Sequence, residues 1–271
     1  MKTLQVGKSK FDLGKRTIIM GILNFTPDSF SDGNMFFDLE KAVQHGQEMV
    51  AAGADIIDIG GESTRPNFEP VSAEEELRRV LPVIKALREV TEVPISIDTY
   101  KAEVARQAIE AGANMLNDIW GCKADPEMAH VAACYHVPIC LMHNKKEAVY
   151  NQLIPDILAE LQECIDIAKA EGVEDQNIII DPGIGFGKTL EHNLEVMHQL
   201  QKFKVLGYPL LLGTSRKSMI GKVLDLPVEE RVEGTAASVA VGIAKGADII
   251  RIHDVRAMSR VAKMTDAMIR R

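Results

Sequence analysis

The residues best able to do chemistry stand at the ends of short apolar runs. Asn24, Asp58, Glu62, Thr64, Arg65, Asp98, Asn117, Asp118, His143, Asp181, Lys217, Ser218, Arg251 and His253 all close or follow such a run. Carboxylates, carboxamides and cations in one cluster can hold a polar heterocycle at one end and an anion at the other. Asp98, Asn117 and Asp181 are well separated along the chain. A carboxylate accepts from paired N–H groups, and an asparagine serves as donor or acceptor. That combination suits a guanine-like or pterin ring, which presents a row of N–H donors beside a carbonyl. Helix capping is the ordinary alternative for such residues. It is weak for Asp181, which is followed by Pro182 and Gly183 and not by a helical pattern.

The cationic end lies in two later segments. The stretch GTSRKSMIGK (213–222) is glycine-rich and basic, and Arg216, Lys217 and Ser218 are placed to meet an anion or a ring carbonyl. A following helix N-terminus would add its dipole. The competing reading is a solvated basic turn. Arg251 and His253 lie two apart on one strand and so share a face. Two cations facing each other in a core without an anion would be costly, so the pair is expected to clamp a diphosphate. Asn24 opens the loop NFTPDSFSDG (24–33), and its carboxamide oxygen suits a hydrated Mg²⁺ that also touches a diphosphate.

The elements that must position these residues repeat one grammar. AAGADIIDIG (51–60), EAGANMLNDI (110–119) and AKGADIIRIH (244–253) each pass from a helix end through glycine to an apolar strand. Gly53, Gly112 and Gly246 fit the left-handed position that ends a helix. Five residues after each comes Asp58, Asn117 or Arg251, which predicts a common height near the strand ends. Further strands read at 18–23, 95–97, 139–142, 178–180 and 208–212. They are apolar throughout, as parallel strands buried on both faces are.

Helices read at 38–52, 73–91, 101–111, 125–135, 152–171, 191–204, 229–245 and 255–269. In the second, Leu77, Val80, Leu81, Ile84 and Leu87 make one apolar stripe. Ser72 and Glu75 are spaced for a capping box, and Pro82 is expected to kink the helix. The alternation fits either an open doubly wound sheet or a barrel. Repeated junctions with polar residues at nearly every strand end favour the barrel. The expected fold is therefore α/β, a single (β/α)8 TIM barrel over 1–271, with residues 1–16 as a short hairpin at its bottom.

Composition narrows the function classes. The 271 residues carry a net charge of -8, which argues against a general nucleic-acid or membrane-surface binder. No apolar run reaches transmembrane length, and the N-terminus lacks a signal-peptide core. The four cysteines form no CxxC pair, so a reducing cytoplasm is expected. GIGFG (183–187) with Lys188 and Thr189 resembles a P-loop, but Pro182 stands where that motif needs glycine. Cys134, His136, Cys140 and His143 match no zinc spacing, and both cysteines are expected to be buried structural residues. No GxSxG elbow occurs, so covalent catalysis is not indicated.

Eight segments in order resemble the dihydropteroate synthase family. They are MGILNFTPDSFSDG (20–33), GGESTRP (60–66), SIDTYK (96–101), ND (117–118), LMH (141–143), DPGIGFGK (181–188), GTSRKSMIG (213–221) and RIHDV (251–255). The resemblance implies condensation of a pterin diphosphate with p-aminobenzoate, with Mg²⁺ as cofactor and a homodimeric assembly. It implies pterin contacts at Asp98, Asn117, Asp181 and Lys217, with Met142, Phe186 and Gly213 as walls. It assigns the diphosphate and Mg²⁺ to Asn24, Thr64, Arg65, Arg251 and His253, and p-aminobenzoate to Phe25, Thr64, Pro66, Lys217 and Ser218. Lys217, Arg251 and Asp98 are the expected catalytic residues.

The resemblance also implies loops at 24–36 and 60–72 that close over the substrates. After GGESTRP the family commonly has glycine, whereas Asn67 and Phe68 stand here. That departure lies beside the arylamine pocket, where affinity for p-aminobenzoate and for sulfonamide competitors is set. A methyltetrahydrofolate-binding methyltransferase barrel would need the pterin carboxylates but not the basic SRK and RIH elements. An inactive paralogue would not need to keep Asn24, Asp98, Asn117, Asp181, Lys217 and Arg251 together.

Overall fold

The structure is a computed structural model that describes residues 3–26, 35–62 and 70–270. It begins with two short strands, β1 (Thr3–Val6) and β2 (Ser9–Asp12), paired as an antiparallel hairpin. β3 (Ile18–Asn24) and α1 (Met35–Ala51) follow, then β4 (Ile56–Gly60), α2 (Ala73–Val90), β5 (Ile95–Asp98) and α3 (Ala102–Glu110). Next come β6 (Met115–Asp118), α4 (Glu127–Tyr135), β7 (Ile139–Met142), α5 (Leu153–Ala170), β8 (Ile178–Asp181) and α6 (Leu190–His198). The last elements are β9 (Leu211–Leu212), α7 (Ser218–Leu224), α8 (Val232–Ala244), β10 (Ile249–Ile252) and α9 (Val255–Ile269).

The eight parallel strands run in the order β8-β7-β6-β5-β4-β3-β10-β9. A parallel bridge between Ile180 and Leu210 joins the two ends. The fold is therefore a (β/α)8 barrel. β9 is shorter than the apolar run 208–212 predicts, because Pro209 has no N–H to give to a ladder and Leu210 N donates to Asp248 Oδ2 at 3.0 Å. Pro209 contributes only its carbonyl, which accepts from Ile180 N at 3.0 Å.

Strand parity sorts the core into two layers. Ile56, Met115, Cys140, Ile179 and Ile249 point into the barrel and pack with Leu4, Val6 and Phe11 of the hairpin. Their neighbours Ile57, Leu116, Leu141, Ile180 and Ile250 point outward against the helices. The hairpin thus plugs the N-terminal end of the barrel with apolar side chains. Two residues further along each inner row stand Asp58, Asn117, Met142, Asp181 and Arg251. The polar layer lies directly above an apolar floor.

The helices follow the predicted periodicity with local corrections. Gly53, Gly112 and Gly246 take φ of 101°, 121° and 100°, as the helix-to-strand junctions require. α2 buries Val80, Val83, Ile84 and Leu87, while Leu77 and Leu81 are half-buried. Ser72 Oγ accepts from Glu75 N at 3.2 Å, but the return half of the capping box does not form. The Glu75 carboxylate is taken by Arg78 and Arg79, each at 2.7 Å. The helix runs without a break through Pro82. The 191–204 pattern divides into α6 and a 3₁₀ turn over Leu200–Leu206. Among the described residues, no helix is long and apolar enough to cross a membrane.

Candidate active site

The inward-facing polar layer meets at the C-terminal mouth of the barrel, where such folds place their chemistry. Arg251 Nε lies 2.6 Å from Asp58 Oδ2, and its Nη2 lies 2.6 Å from Asp98 Oδ2. Asn117 Nδ2 donates to the same Asp58 oxygen at 3.1 Å. Three non-neighbouring strands, β4, β6 and β10, thus converge on Asp58. The common height predicted by the glycine-to-polar spacing is realised as direct contact.

This arrangement corrects one expectation. Arg251 does not face a second cation in a core without an anion, because two protein carboxylates hold its guanidinium. His253 is tied separately: its N–H donates to Ser215 Oγ at 3.1 Å, and its Nδ1 lies 3.0 Å from the same oxygen.

Two carboxylates share one guanidinium, so the cluster keeps an excess negative charge. Burial pushes Asp98 up to about 7, opposed by Arg251 and reinforced by Asp58. Among the described residues, Asp58 Oδ1 and Asp98 Oδ1 are buried without a hydrogen-bond partner. An orphaned buried acceptor costs about 1–3 kcal/mol. A ligand that brings N–H donors to this mouth relieves that cost.

Asp181 and Lys217 form the opposite wall. Asp181 Oδ1 accepts from Gly183 N at 2.7 Å. Lys217 Nζ donates to the Ile184 carbonyl and stands 4.6 Å from the centre of the Phe186 ring. A Cβ on Gly213 would lie 3.8 Å from both Lys217 Nζ and Arg251 Cβ, and 4.0 Å from Asp181 Oδ2. Gly213 therefore marks the point where the two walls meet. Burial pulls Lys217 down to about 8 and raises Asp181, with each group's opposite charge working against the shift. Met142, paired in register with Asp181, ends β7 beside them and is buried.

The other predicted residues fall in different places. Asn24 ends β3 opposite Gly60, and its Oδ1 would lie 3.3 Å from a Cβ there. Phe25 is half-buried, and its N–H donates to the Gly60 carbonyl at 2.8 Å. Ser218 is the first residue of α7 and is exposed. Thr64, Arg65 and Pro66, with Asn67 and Phe68, lie outside the described residues, as do residues 27–34 of the first loop.

Several strand-end residues do work away from the mouth. Arg216 pairs its guanidinium with Asp254, at 2.9 and 2.6 Å. Asp118 closes its own loop by accepting from Trp120 N and Cys122 N at 2.8 and 2.6 Å. Glu62 accepts from Tyr100 Oη at 3.0 Å and Lys101 Nζ at 2.6 Å. Cys140 is buried inside the barrel, but Cys134 is exposed on α4, its Sγ 3.2 Å from His130 Nε2. The short helix buries one face only, and Cys134 shares the outer face with His130 four residues earlier.

Asp58 stood among the strand-end residues without a role read from the sequence, although its spacing from Gly53 matches that of Asn117 and Arg251. Ser215 and Lys188 stood outside that set. A serine and a lysine in glycine-rich loops carry no signal that separates them from solvated turn residues.

The comparisons with known proteins agree with this geometry. A family model described as "Pterin binding enzyme" matches residues 20–253. A dihydropteroate synthase of Clostridium beijerinckii is 63% identical over 99% of this chain and 100% of its own length. A solved dihydropteroate synthase from Clostridium difficile, determined in the presence of pteroic acid, superposes with a TM-score of 0.95 at 52% identity, covering 96% of this chain and 100% of that one. A Xanthomonas albilineans dihydropteroate synthase solved with 4-aminobenzoic acid gives a TM-score of 0.94 at 39% identity, with 98% of each chain covered. An eight-stranded barrel whose mouth buries donor-seeking carboxylates, matched over nearly its whole length by these proteins, belongs to the dihydropteroate synthase family of pterin-binding enzymes.

Proposed function

We propose that the protein condenses 6-hydroxymethyl-7,8-dihydropterin diphosphate with p-aminobenzoate, giving 7,8-dihydropteroate and diphosphate. The observation that carries this reading is the pair of orphaned carboxylate oxygens on Asp58 and Asp98 beside Asn117. An aminopyrimidinone ring supplies the N–H row they lack. In this reading Asp98, Asn117, Asp181 and Lys217 hold the pterin, and Met142, Phe186 and Gly213 wall it. Lys217, Arg251 and Asp98 act at the reacting end.

Arg251 and His253 stand on the side of β10 and take the diphosphate with Asn24, Thr64 and Arg65. Phe25, Thr64, Pro66, Lys217 and Ser218 border the arylamine. Asn24 fits Mg²⁺ as a single neutral oxygen ligand, because this small hard cation keeps several waters and draws its other ligands from substrate phosphates. When bound, the ion supplies Lewis-acid stabilisation of the leaving diphosphate.

The protein's own contribution is electrostatic. Cations near the departing diphosphate favour cleavage of its C–O bond. The carboxylates Asp98 and Asp181 favour positive charge delocalised from the methylene into the ring. The aniline nitrogen needs no strong general base, so an ionisation-like path is preferred over concerted displacement. A secondary isotope effect clearly above unity at the methylene is expected, and a value near unity would rule that path out.

We read residues 1–271 as one pterin-binding unit that works as a cytoplasmic homodimer. Val241, Met264 and Met268 are 45%, 61% and 56% exposed on α8 and α9 and offer an apolar face for the pairing. Sedimentation at a single monomer mass would refute it.

The decisive assay follows diphosphate and dihydropteroate in the presence of both substrates and Mg²⁺. Lys217→Ala and Arg251→Ala should each lower kcat/KM by roughly 100-fold or more. Pterin binding without product would favour the methyltransferase or inactive-paralogue reading.

A further inference from the structure

The loop after β8 carries a second lysine that the proposed reaction does not touch. Lys188 Nζ lies 2.8 Å from His143 Nδ1 and 3.0 Å from the carbonyl oxygens of both Gly183 and Phe186. Burial pulls Lys188 down to about 7, countered by Asp181, and in its ammonium form the three acceptors match its three donors. Burial pulls His143 down to about 2, aided by the nearby lysines, so its ring is neutral, and the Nε2–H tautomer presents Nδ1 as an acceptor to Lys188.

His143 is itself anchored. Its N–H donates to the Asp181 carbonyl at 2.9 Å, and its carbonyl oxygen lies 1.9 Å from where a Cβ on Gly183 would stand. Glu160 Oε2 stands 3.1 Å from its Nε2, without the geometry of a hydrogen bond.

The loop needs such an anchor. Gly183, Gly185 and Gly187 take φ of 70°, 86° and 55°. Glycines make these conformations accessible but give the chain little reason to stay in them. Two lysines hold the loop at successive carbonyls. Lys217 donates to the Ile184 carbonyl, and Lys188 donates to the flanking Gly183 and Phe186 carbonyls.

We propose that Lys188 is a positioning residue for the pterin pocket: by tying His143 to the Gly183 and Phe186 carbonyls, it fixes the loop on which Lys217 and the Phe186 ring are aligned. The proposal rests on the reading that Asp181 and Lys217 hold the pterin.

The test measures binding of the pterin diphosphate with Mg²⁺ by calorimetry and the KM of each substrate, using the full chain. Lys188→Met should weaken pterin binding and raise the pterin KM by at least about tenfold, leaving the p-aminobenzoate KM within about twofold. His143→Gln keeps an acceptor for Lys188 and should bind pterin within about threefold of the parent, while His143→Leu should lose at least about fivefold. This pair keeps the test decisive if Lys188→Met does not fold.

Lys217→Ala runs as the control. If it loses pterin while Lys188→Met and His143→Leu, both folded by thermal melting, keep parental affinity, the positioning role is overturned and the site reading stands. If Lys217→Ala itself keeps parental affinity, the site reading fails and the proposal fails with it.

Discussion

Asp58 shows how one residue can join a site without being its obvious chemist. It is fully buried and accepts from Arg251 and Asn117 through a single oxygen. Removing it would leave Arg251 paired with Asp98 alone and the Asn117 amide without its acceptor, and an orphaned buried donor costs about 1–3 kcal/mol. Asp58→Ala should therefore lower unfolding free energy by about 1–3 kcal/mol and loosen the placement of Arg251, which urea denaturation and the pterin KM would report. His143 gives a prediction in pH. Its folded value, about 2, lies below the ordinary 6.5, so below pH 6.5 the unfolded chain takes a proton that the folded chain does not. The stability this contributes is present above pH 6.5 and is lost as pH falls from there toward 2, by up to about 1.4 kcal/mol per pH unit. Buried Asp98 works in the opposite direction, because its raised value adds stability that fades as pH rises from about 4 to about 7. Comparing the parent with His143→Gln between pH 5 and 7 isolates the histidine: the variant should lack its share of the acid-side loss. Parallel curves would refute the assignment.

At the scale of the element, the loop after β8 has the least freedom to change. Gly183 combines a φ of 70° with a Cβ position 1.9 Å from a carbonyl oxygen of the neighbouring strand end. Neither the backbone nor that carbonyl can give way without moving β7. Gly183→Ala should cost about 2–3 kcal/mol in stability and weaken pterin binding together with it. Thermal unfolding alongside calorimetry would check both, and an alanine variant with parental values for both would refute the strain argument. The helix-to-strand junctions at Gly53, Gly112 and Gly246 were legible in advance, because left-handed helix ends have a strong glycine signature. The shortened β9 was less so. Its apolar run was clear, but a proline in a continuous run reveals only in the assembled sheet which hydrogen bond it forfeits.

The whole molecule separates stability from chemistry along the barrel axis. The hairpin fills the N-terminal end with Leu4, Val6 and Phe11, and the polar mouth lies at the other end. Leu4 is completely buried there. Leu4→Ala should cost about 3 kcal/mol in stability through the cavity it opens. Its KM values for both substrates should stay unchanged at temperatures where the variant is folded. A shift in pterin KM comparable to that of a mouth variant would show that the two ends are coupled through the interior.

The sequence by itself determined a good deal. Alternating helix and strand patterns, capping glycines and polar strand ends called for the barrel. Strand parity then put Asp58, Asn117, Asp181 and Arg251 on the inward row above Ile56, Met115, Ile179 and Ile249, since residues two apart share a face. The ordered motifs named the chemistry. Tertiary structure alone decided the partnerships. Arg251 meets Asp58 across 193 residues of chain, and local spacing cannot say that a clamp expected to bind diphosphate is already held by two carboxylates. It likewise decided that Arg216 pairs with Asp254, that Cys134 is exposed, and that Lys188 bridges His143 and the Gly183 and Phe186 carbonyls. Type and spacing fix which face a side chain takes. Closure of the barrel brings distant strands together and so fixes which charges meet and which acceptors are left for a ligand.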